Sequence, residues 1–478
     1  MTQKNVDVVV AGGGTSGFAA AIAAARNGAR VCLIERSTAL GGTMTNGLVP
    51  GINSMRHQPC RTVPVGLSTA SHESNFSGKQ YIKGIAQELV DRLLKLKAVY
   101  AHEGESPVRV NFDHETMKLV MDQMVREAGA EILYLSEVTG VIKDGDILKG
   151  VVLSDGGVIH AKTVIDTTGD ANVVALAGAP WEQGRHNVHN HTQAASLYFL
   201  IGDVDLDKMI AGMDPYPTDF PDVYREMLHR LWGEKKPFAM LSFPTLMRKA
   251  IENGDYPPPC GTSQTAERGF AGLIRPIYRN GKIRNTTMHN VDMAHMCDPT
   301  NIPEFSKTIS AMREFVVKYA EYLRKYIPGY GDSYLLSTAH QIGIRESRII
   351  IGEYKMTGED TLEGREFLDA IGWCGHAVDV HDDNGSRDLE IHEVGGSGAY
   401  QIPYRILVPQ RIDGLLVAGR TVSSDITANG TLRGQASCIL MGQAAGTAAA
   451  LAAKAGVAPR RVDVAHLQKQ LKADGVVL

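Results

Sequence analysis

An α/β fold, Rossmann-like at its N-terminus and interrupted by an inserted α+β cap domain, is predicted by three observations. Residues 6–10 form an apolar, β-branched run that leads directly into a glycine turn and an alanine-rich segment, the pattern of a buried parallel strand followed by a helix. Two later apolar runs, at 164–166 and 414–418, also end in small-residue turns, as further strands of the same sheet would. From 181 to 399 the prolines cluster, the periodicity weakens and polar aromatics accumulate, which marks a separate unit.

The bulk numbers bound the answer. A chain of 478 residues exceeds the size at which one hydrophobic core stops growing, so two joined domains are expected. With 44% hydrophobic residues, 21% charged residues and a net charge of -4, it reads as globular and carries no electrostatic footprint for nucleic acid or an anionic membrane. Neither is an expected partner. The six cysteines lack paired spacing and read as reduced structural thiols, with no metal site. The first strand begins too early for a leader segment, so a cytoplasmic location is expected. The apolar stretch 436–453 contains Gln443 and falls short of the ~20 residues a bilayer span needs, so it reads as a buried helix.

The first glycine turn is Gly12-Gly13-Gly14-Thr15-Ser16-Gly17. In this context Gly12 makes the tight turn, Gly14 lets the backbone approach a pyrophosphate, and Gly17 lets the next helix lie close to the sheet. Ala19, Ala20, Ala23 and Ala24 thin that helix, Gly28 is placed to end it, and a second strand at 31–34 delivers Glu35 to receive the ribose hydroxyls of an adenosine. An acid there would repel a 2′-phosphate, which argues against NADP. Three more segments call for a longer cofactor than NAD: Leu40-Gly41-Gly42-Thr43, Asp166-Thr167-Thr168-Gly169-Asp170, and Ala418-Gly419-Arg420. The segment 429–435 is expected to open the long Ala-rich helix, aiming its N-terminus at the far end of that cofactor.

With GGGTSG and Glu35-Arg36, LGGTMTNGLV, DTTGD, IGIRESRIIIGEY, VDVH, IPYRILVP and LLVAGRTVSSD in place, the chain resembles the FAD-dependent oxidoreductases that have a glutathione-reductase-type FAD-binding domain and an inserted substrate domain. The resemblance implies FAD as cofactor. It implies contacts to FAD from Gly12, Gly14, Thr15, Ser16, Gly17, Glu35, Arg36, Gly42, Thr43, Thr168, Gly169, Asp170, Gly419, Arg420, Leu432 and Arg433, and from the backbone of Val138 at the adenine. The FAD-binding domain is expected at 1–50, 108–180 and 400–478, an excursion over the cofactor at 51–107, and the cap at 181–399. Within these, 80–97 and 113–128 show amphipathic helix spacing, the methionines of the latter read as core, and Asp144-Gly145 marks a hairpin turn. No second dinucleotide fingerprint is present, because Gly395-Gly396-Ser397-Gly398 follows no buried strand.

The flavin performs hydride transfer itself, so the protein has to orient a substrate and supply a base or an electrophile. His381, beside Asp379, is the preferred acid/base candidate. Arg345 and Arg348 are read either as an ion-pair network docking the cap or as a clamp on a substrate carboxylate or carbonyl. His186, His189 and His191 read as polar pocket residues rather than metal ligands, and Arg433 as a cation beside the reduced flavin. Tyr400 and Tyr404 either bound the pocket or pack in the core; His289 and His376 are weaker candidates. The expected activity is hydride transfer between flavin N5 and a small polar organic molecule, by a dehydrogenase or a C=C reductase. The alternatives are an electron-transfer subunit serving a partner redox protein, or a non-redox role for FAD. The electron donor or acceptor and a homo-oligomeric state are left open.

Overall fold

The computed structural model describes residues 3–53, 55, 79–100, 109–184, 191–258, 260–261, 272–295, 297–381 and 390–478. The opening apolar run becomes the strand Gln3–Ala11, buried over Val8–Ala11, and lies at the middle of a seven-stranded sheet. Parallel partners flank it: Val31–Ile34 and then Glu131–Leu133 on one side, Val158–Asp166 on the other. The strand Val158–Asp166 changes neighbour along its length. Its first three residues pair antiparallel with Ile147–Leu153, which continues the hairpin to Val138–Asp144, and its last three residues pair parallel with Leu415–Val417.

That register brings four strand ends level. Ala11 stands beside Ile34 on one side and Asp166 on the other, and Asp166 stands beside Val417. The loops that follow are the glycine turn, Glu35-Arg36, Thr167-Thr168-Gly169 and Ala418-Gly419-Arg420, so the topology gathers them at the carboxyl edge where open α/β sheets bind ligands.

Two helices cover one face of this sheet. Thr15–Arg26 and the Ala-rich Gln435–Ala455 lie against each other with almost no separation: a Cβ on Gly442 would come within 2.1 Å of the Ser16 carbonyl oxygen, and one on Gly446 within 2.2 Å of that of Ala20. Gln435–Ala455 is long and apolar enough to cross a membrane, yet 94% of its apolar window is buried within the protein, as a core helix would be. The helices Ile85–Lys95 and His114–Glu127 are shorter than the spacing predicted. Asp113 is the N-cap of the second rather than its first residue, and Met117, Met121 and Met124 are core.

A second hydrophobic core is drawn from residues 195–342. It joins an antiparallel sheet, ordered Met240–Leu241, Leu273–Arg279, Lys282–Asn290, Phe199–Gly202 and Tyr334–Thr338, to the 25-residue helix Ile302–Tyr326. Residues such as Ile350, Trp373 and Ala399, expected in the cap, pack instead on the first core. The glycines at 395–398 serve that packing, since a Cβ on Gly395 would lie 1.8 Å from the Leu362 carbonyl oxygen. Tyr400 and Tyr404 are buried in the same core, their hydroxyls bonded to Thr431 Oγ1 at 3.0 Å and to the Pro459 carbonyl at 2.9 Å, the core-packing alternative of the two. Cys32, Cys260, Cys297, Cys374 and Cys438 are free and buried; Cys60 lies outside the described residues.

Candidate active site

The level strand ends open into one cleft of about 1360 Å³, part of it continuous with solvent. At one end stands the glycine turn. Gly12 takes φ +101°, where a side chain is strained, and its Cβ would meet the Thr167 carbonyl oxygen at 2.6 Å. Gly14 differs: nothing lies within 4 Å of where its Cβ would be, so bare backbone faces the cleft. Gly14 precedes Thr15–Arg26, a helix with no side-chain cap and no acid in its first turn, which leaves its amide N–H groups and dipole to favour an anion. The Leu40–Thr43 loop docks here through the Gly41 amide, 2.8 Å from the Gly13 carbonyl.

Glu35 is buried, and its carboxylate ties the site together. One oxygen accepts from the Gly13 amide at 2.8 Å and the other from the Ser37 amide at 2.7 Å, so it braces the glycine turn as well as lining the cleft. Glu35→Ala is expected to strip two backbone donors of their acceptor, costing about 1–3 kcal/mol, and to release FAD. Denaturation of the apoprotein and flavin retention through gel filtration check the two parts separately.

Of the residues expected at the cofactor, Gly12, Gly14, Thr15, Ser16, Glu35, Arg36, Gly42, Thr43, Val138, Thr168, Gly169, Gly419, Arg420 and Arg433 line this cleft. Three do not. Gly17 is a packing residue, its Cβ position 1.8 Å from the Gly12 carbonyl oxygen; Asp170 is engaged by Arg420 at 2.8 Å; Leu432 is wholly buried in the helix Ile426–Leu432. That short helix also corrects the reading of 429–435. The chain breaks at Arg433-Gly434, and only then does the long helix begin, with Gln435 and Cys438 from its first turn in the cleft wall. Burial pushes the Cys438 thiol up to about 12, which keeps it protonated.

The far wall belongs to the cap and contains residues that no sequence motif announced: Ser196, Tyr198 and Gln341. Arg345 lines it too. Its guanidinium reaches Asp292 at 2.7 Å, Ser196 Oγ at 3.1 Å and the Ala194 carbonyl. The other Asp292 oxygen takes His381 Nδ1 at 2.6 Å, His381 Nε2 faces Asp379 at 3.2 Å, and Arg433 reaches Asp379 through its carbonyl at 2.6 Å and its carboxylate at 3.6 Å. Five side chains thus form one alternating chain, Arg345, Asp292, His381, Asp379, Arg433, whose two ends line the cleft.

His381 itself does not line it. Burial and Arg345 push its pKa down, but Asp292 and Asp379 outweigh them and hold it above the ordinary value. Burial would raise both carboxyls, yet Arg345 and His381 hold Asp292, and His381 and Arg433 hold Asp379, well below the carboxylate range. A carboxylate at each ring nitrogen favours the imidazolium form, in which both nitrogens donate. This arrangement orients arginines; it leaves no ring nitrogen to exchange a proton with a substrate. Arg348 is also displaced from the chemistry. It donates to the Asp170 carbonyl at 2.9 Å and Asn172 Oδ1 at 3.0 Å and lies over Trp181, docking one segment on another. His191 is half-buried outside the cleft wall, and His186 and His189 lie outside the described residues. His289 stacks on Phe199 in the cap core, where burial pushes it down to about 3. Among the described residues no group of three His, Cys, Asp or Glu is placed to hold a metal.

The cleft fits FAD. It runs from an uncapped helix N-terminus to a polar far end, and three of its buried side-chain atoms, Arg420 Nε, Arg433 Nε and Gln435 Oε1, have no protein partner. The chain is 28% identical over 298 residues to the tRNA uridine 5-carboxymethylaminomethyl modification enzyme MnmG of Geobacter sulfurreducens, covering 58% of this chain and 42% of that one. It is 46% identical over 59 residues to the soluble pyridine nucleotide transhydrogenase of Chromohalobacter salexigens, 12% of each chain. The chain thus spans less than half the length of these curated relatives. A solved structure of a geranylgeranyl bacteriochlorophyll reductase-like protein from Thermoplasma acidophilum aligns over 98% of this chain and 83% of its own, at 13% identity and a TM-score of 0.45. The family model for FAD dependent oxidoreductases matches residues 7–471, nearly the whole sequence. The chain therefore belongs to the FAD dependent oxidoreductase family, an enzyme family whose cofactor is FAD.

Proposed function

We propose that the protein moves a hydride between flavin N5 and a small polar organic substrate held between the flavin and the cap sheet, acting as a dehydrogenase or a C=C reductase. The observation that carries this reading is the single cleft that joins the glycine turn at one end to two oriented arginines, Arg345 and Arg433, at the other. When bound, FAD supplies the two-electron chemistry. The turn at Gly12–Ser16 and the helix behind it would take the diphosphate, Glu35 the adenosine ribose, and the Gly419, Arg433 and Gln435 region the flavin end.

The remaining work falls to the protein. Arg345 and Arg433 place positive charge on the cleft wall, and the chain through Asp292, His381 and Asp379 fixes their directions. Tyr198 also lines the cleft, and burial pushes its phenol up despite the opposing pull of Arg275 and Arg345, which keeps it protonated. Anaerobic mixing of the holoenzyme with oxidisable and reducible small molecules tests the reading. A saturable change in the flavin spectrum with one of them is expected; no change with any would sink it. In Arg433→Ala, turnover is expected to fall by about tenfold or more and the flavin potential to drop with the lost cation. Both quantities unchanged would remove Arg433 from the site.

A further inference from the structure

Residues 41–49 run from the glycine turn to the cap as one strap. The Gly41 amide donates to the Gly13 carbonyl at 2.8 Å, and Gly42 and Thr43 line the cleft that fits FAD. Buried His114 meets the Met44 carbonyl through Nδ1 at 2.8 Å, which anchors the strap to the helix His114–Glu127. At the far end Leu48 and Val49 pack on the second hydrophobic core, Leu48 at φ +54°, a left-handed conformation that leucine rarely adopts. A residue stays there only where its surroundings hold it.

Asn46 is where the strap meets the cap wall. Its carbonyl accepts the amides of His340 at 2.9 Å and of Gln341 at 3.0 Å. On either side of those two residues the cap secures its own chain: the Ala339 amide donates to the Tyr198 carbonyl at 2.8 Å, and the Gly343 amide to the Ser196 carbonyl at 2.8 Å. Gln341, which lines the cleft, is therefore pinned by the strap. Its Oε1 stands 3.8 Å from where a Cβ on Gly42 would be, so the side chain reaches back to the start of the strap. The Asn46 side chain fixes the accepting carbonyl in turn. Its Nδ2 donates to Ser37 Oγ at 2.9 Å and to the Ala39 carbonyl at 3.3 Å, and the Ser37 amide donates to the Glu35 carboxylate at 2.7 Å. One line of contacts thus runs through Glu35, Ser37, Asn46 and Gln341, from the carboxylate expected at the adenosine ribose to the cap wall.

We propose that Asn46 is a positioning residue that couples FAD occupancy to the cap wall, so that Gln341 is set for substrate only when the cofactor holds the strap. This rests on reading the cap wall as the substrate's side of the cleft, but its test does not need turnover. Hydrogen exchange at the 340–341 amides, measured by mass spectrometry on apoprotein and holoprotein, reads the coupling directly. In wild type, FAD is expected to slow that exchange by about tenfold or more, while residues 199–201 inside the cap sheet change by about twofold or less. Asn46→Ala keeps the accepting carbonyl but frees it from Ser37 and Ala39. Its FAD-linked slowing at 340–341 is expected to fall to about twofold or less, with exchange at 199–201 as in wild type. An Asn46 that served stability alone would speed exchange with and without FAD alike and leave the FAD-linked ratio intact. Ser37→Ala removes the same bond from its other end, is expected to lower the ratio likewise, and covers the case in which Asn46→Ala does not fold. In the double variant the two effects should not add. No FAD-linked slowing in wild type, or slowing of wild-type size in the soluble variants, overturns the coupling. If the slowing depends on Asn46 while no redox substrate is found, the coupling stands and the hydride-transfer reading fails.

Discussion

Gly14→Ala is expected to fold as the wild type does and to lose FAD, whereas Gly17→Ala, three residues on, is expected to lose the fold. The two glycines belong to one turn, but their missing side chains face different things. At Gly14 the backbone is in an ordinary extended conformation, φ -68° and ψ -167°, and a Cβ would meet no atom within 4 Å, so alanine brings neither strain nor clash. What it brings is a methyl group in the cleft, between the helix N-terminus and the diphosphate it would receive. Apoprotein stability should stay within about 0.5 kcal/mol of wild type, while FAD affinity falls by about tenfold or more. At Gly17 a Cβ would lie 1.8 Å from the Gly12 carbonyl oxygen and 2.6 Å from Thr167 Oγ1. Neither atom can yield cheaply, because Thr167 Oγ1 donates to the Ala11 and Gly12 carbonyls. The helix would have to lift off the turn, and its other side is held by Gln435–Ala455 through Gly442 and Gly446. A cost of about 3 kcal/mol or more follows. Chemical denaturation of the apoproteins together with flavin absorbance separates the effects: an unstable Gly14→Ala, or a stable Gly17→Ala that lacks only FAD, would reverse the assignment.

That contrast explains which parts of the site were legible in the sequence. Strand, turn, helix, strand and acid fall within the first 35 residues, so local spacing alone places Gly12, Gly14, Gly17 and Glu35, and the strand bounds Val31–Ile34 agree with the expectation. The cap wall has no such compactness. Ser196, Asp292 and Arg345 come from three separate segments and meet only through packing, which no short spacing encodes. Arg345 and Arg348 show the limit of proximity in sequence. Three residues apart, they leave in different directions, one to the cleft and one to the Asp170 carbonyl and Asn172. His381 was singled out for its neighbouring acids, but those acids, with Asp292 added from the cap, are what hold it as a cation rather than free it as a base.

Asp292→Ala is expected to cost about 3–5 kcal/mol, the scale for removing one partner of a buried ion pair. Asp292 is 10% exposed, and each oxygen neutralises a different cation, Arg345 at 2.7 Å and His381 at 2.6 Å. Its loss leaves those two charges facing each other with Asp379 alone, which already serves Arg433 and is 35% exposed. The pH dependence separates this account from simple loss of packing. The folded-state pKa of His381 is raised, so the stability it contributes is complete below the ordinary 6.5 and is lost as pH rises through the higher folded value. Asp292 is depressed, so its contribution is present above the ordinary 3.8 and is lost as pH falls. Wild type should therefore weaken toward alkaline pH as the imidazolium loses its proton. The variant should weaken less, because without Asp292 His381 has less cause to stay charged. The gap between the two is then widest near neutrality and narrows as pH rises. Asp292→Asn, which keeps an acceptor but no charge, should fall between them and show the same narrowing. Denaturation midpoints measured across that range decide the matter: a gap that stays constant with pH would mean that Asp292 supports the cap by shape alone, and that Arg345 and Arg433 are not oriented through a charged His381.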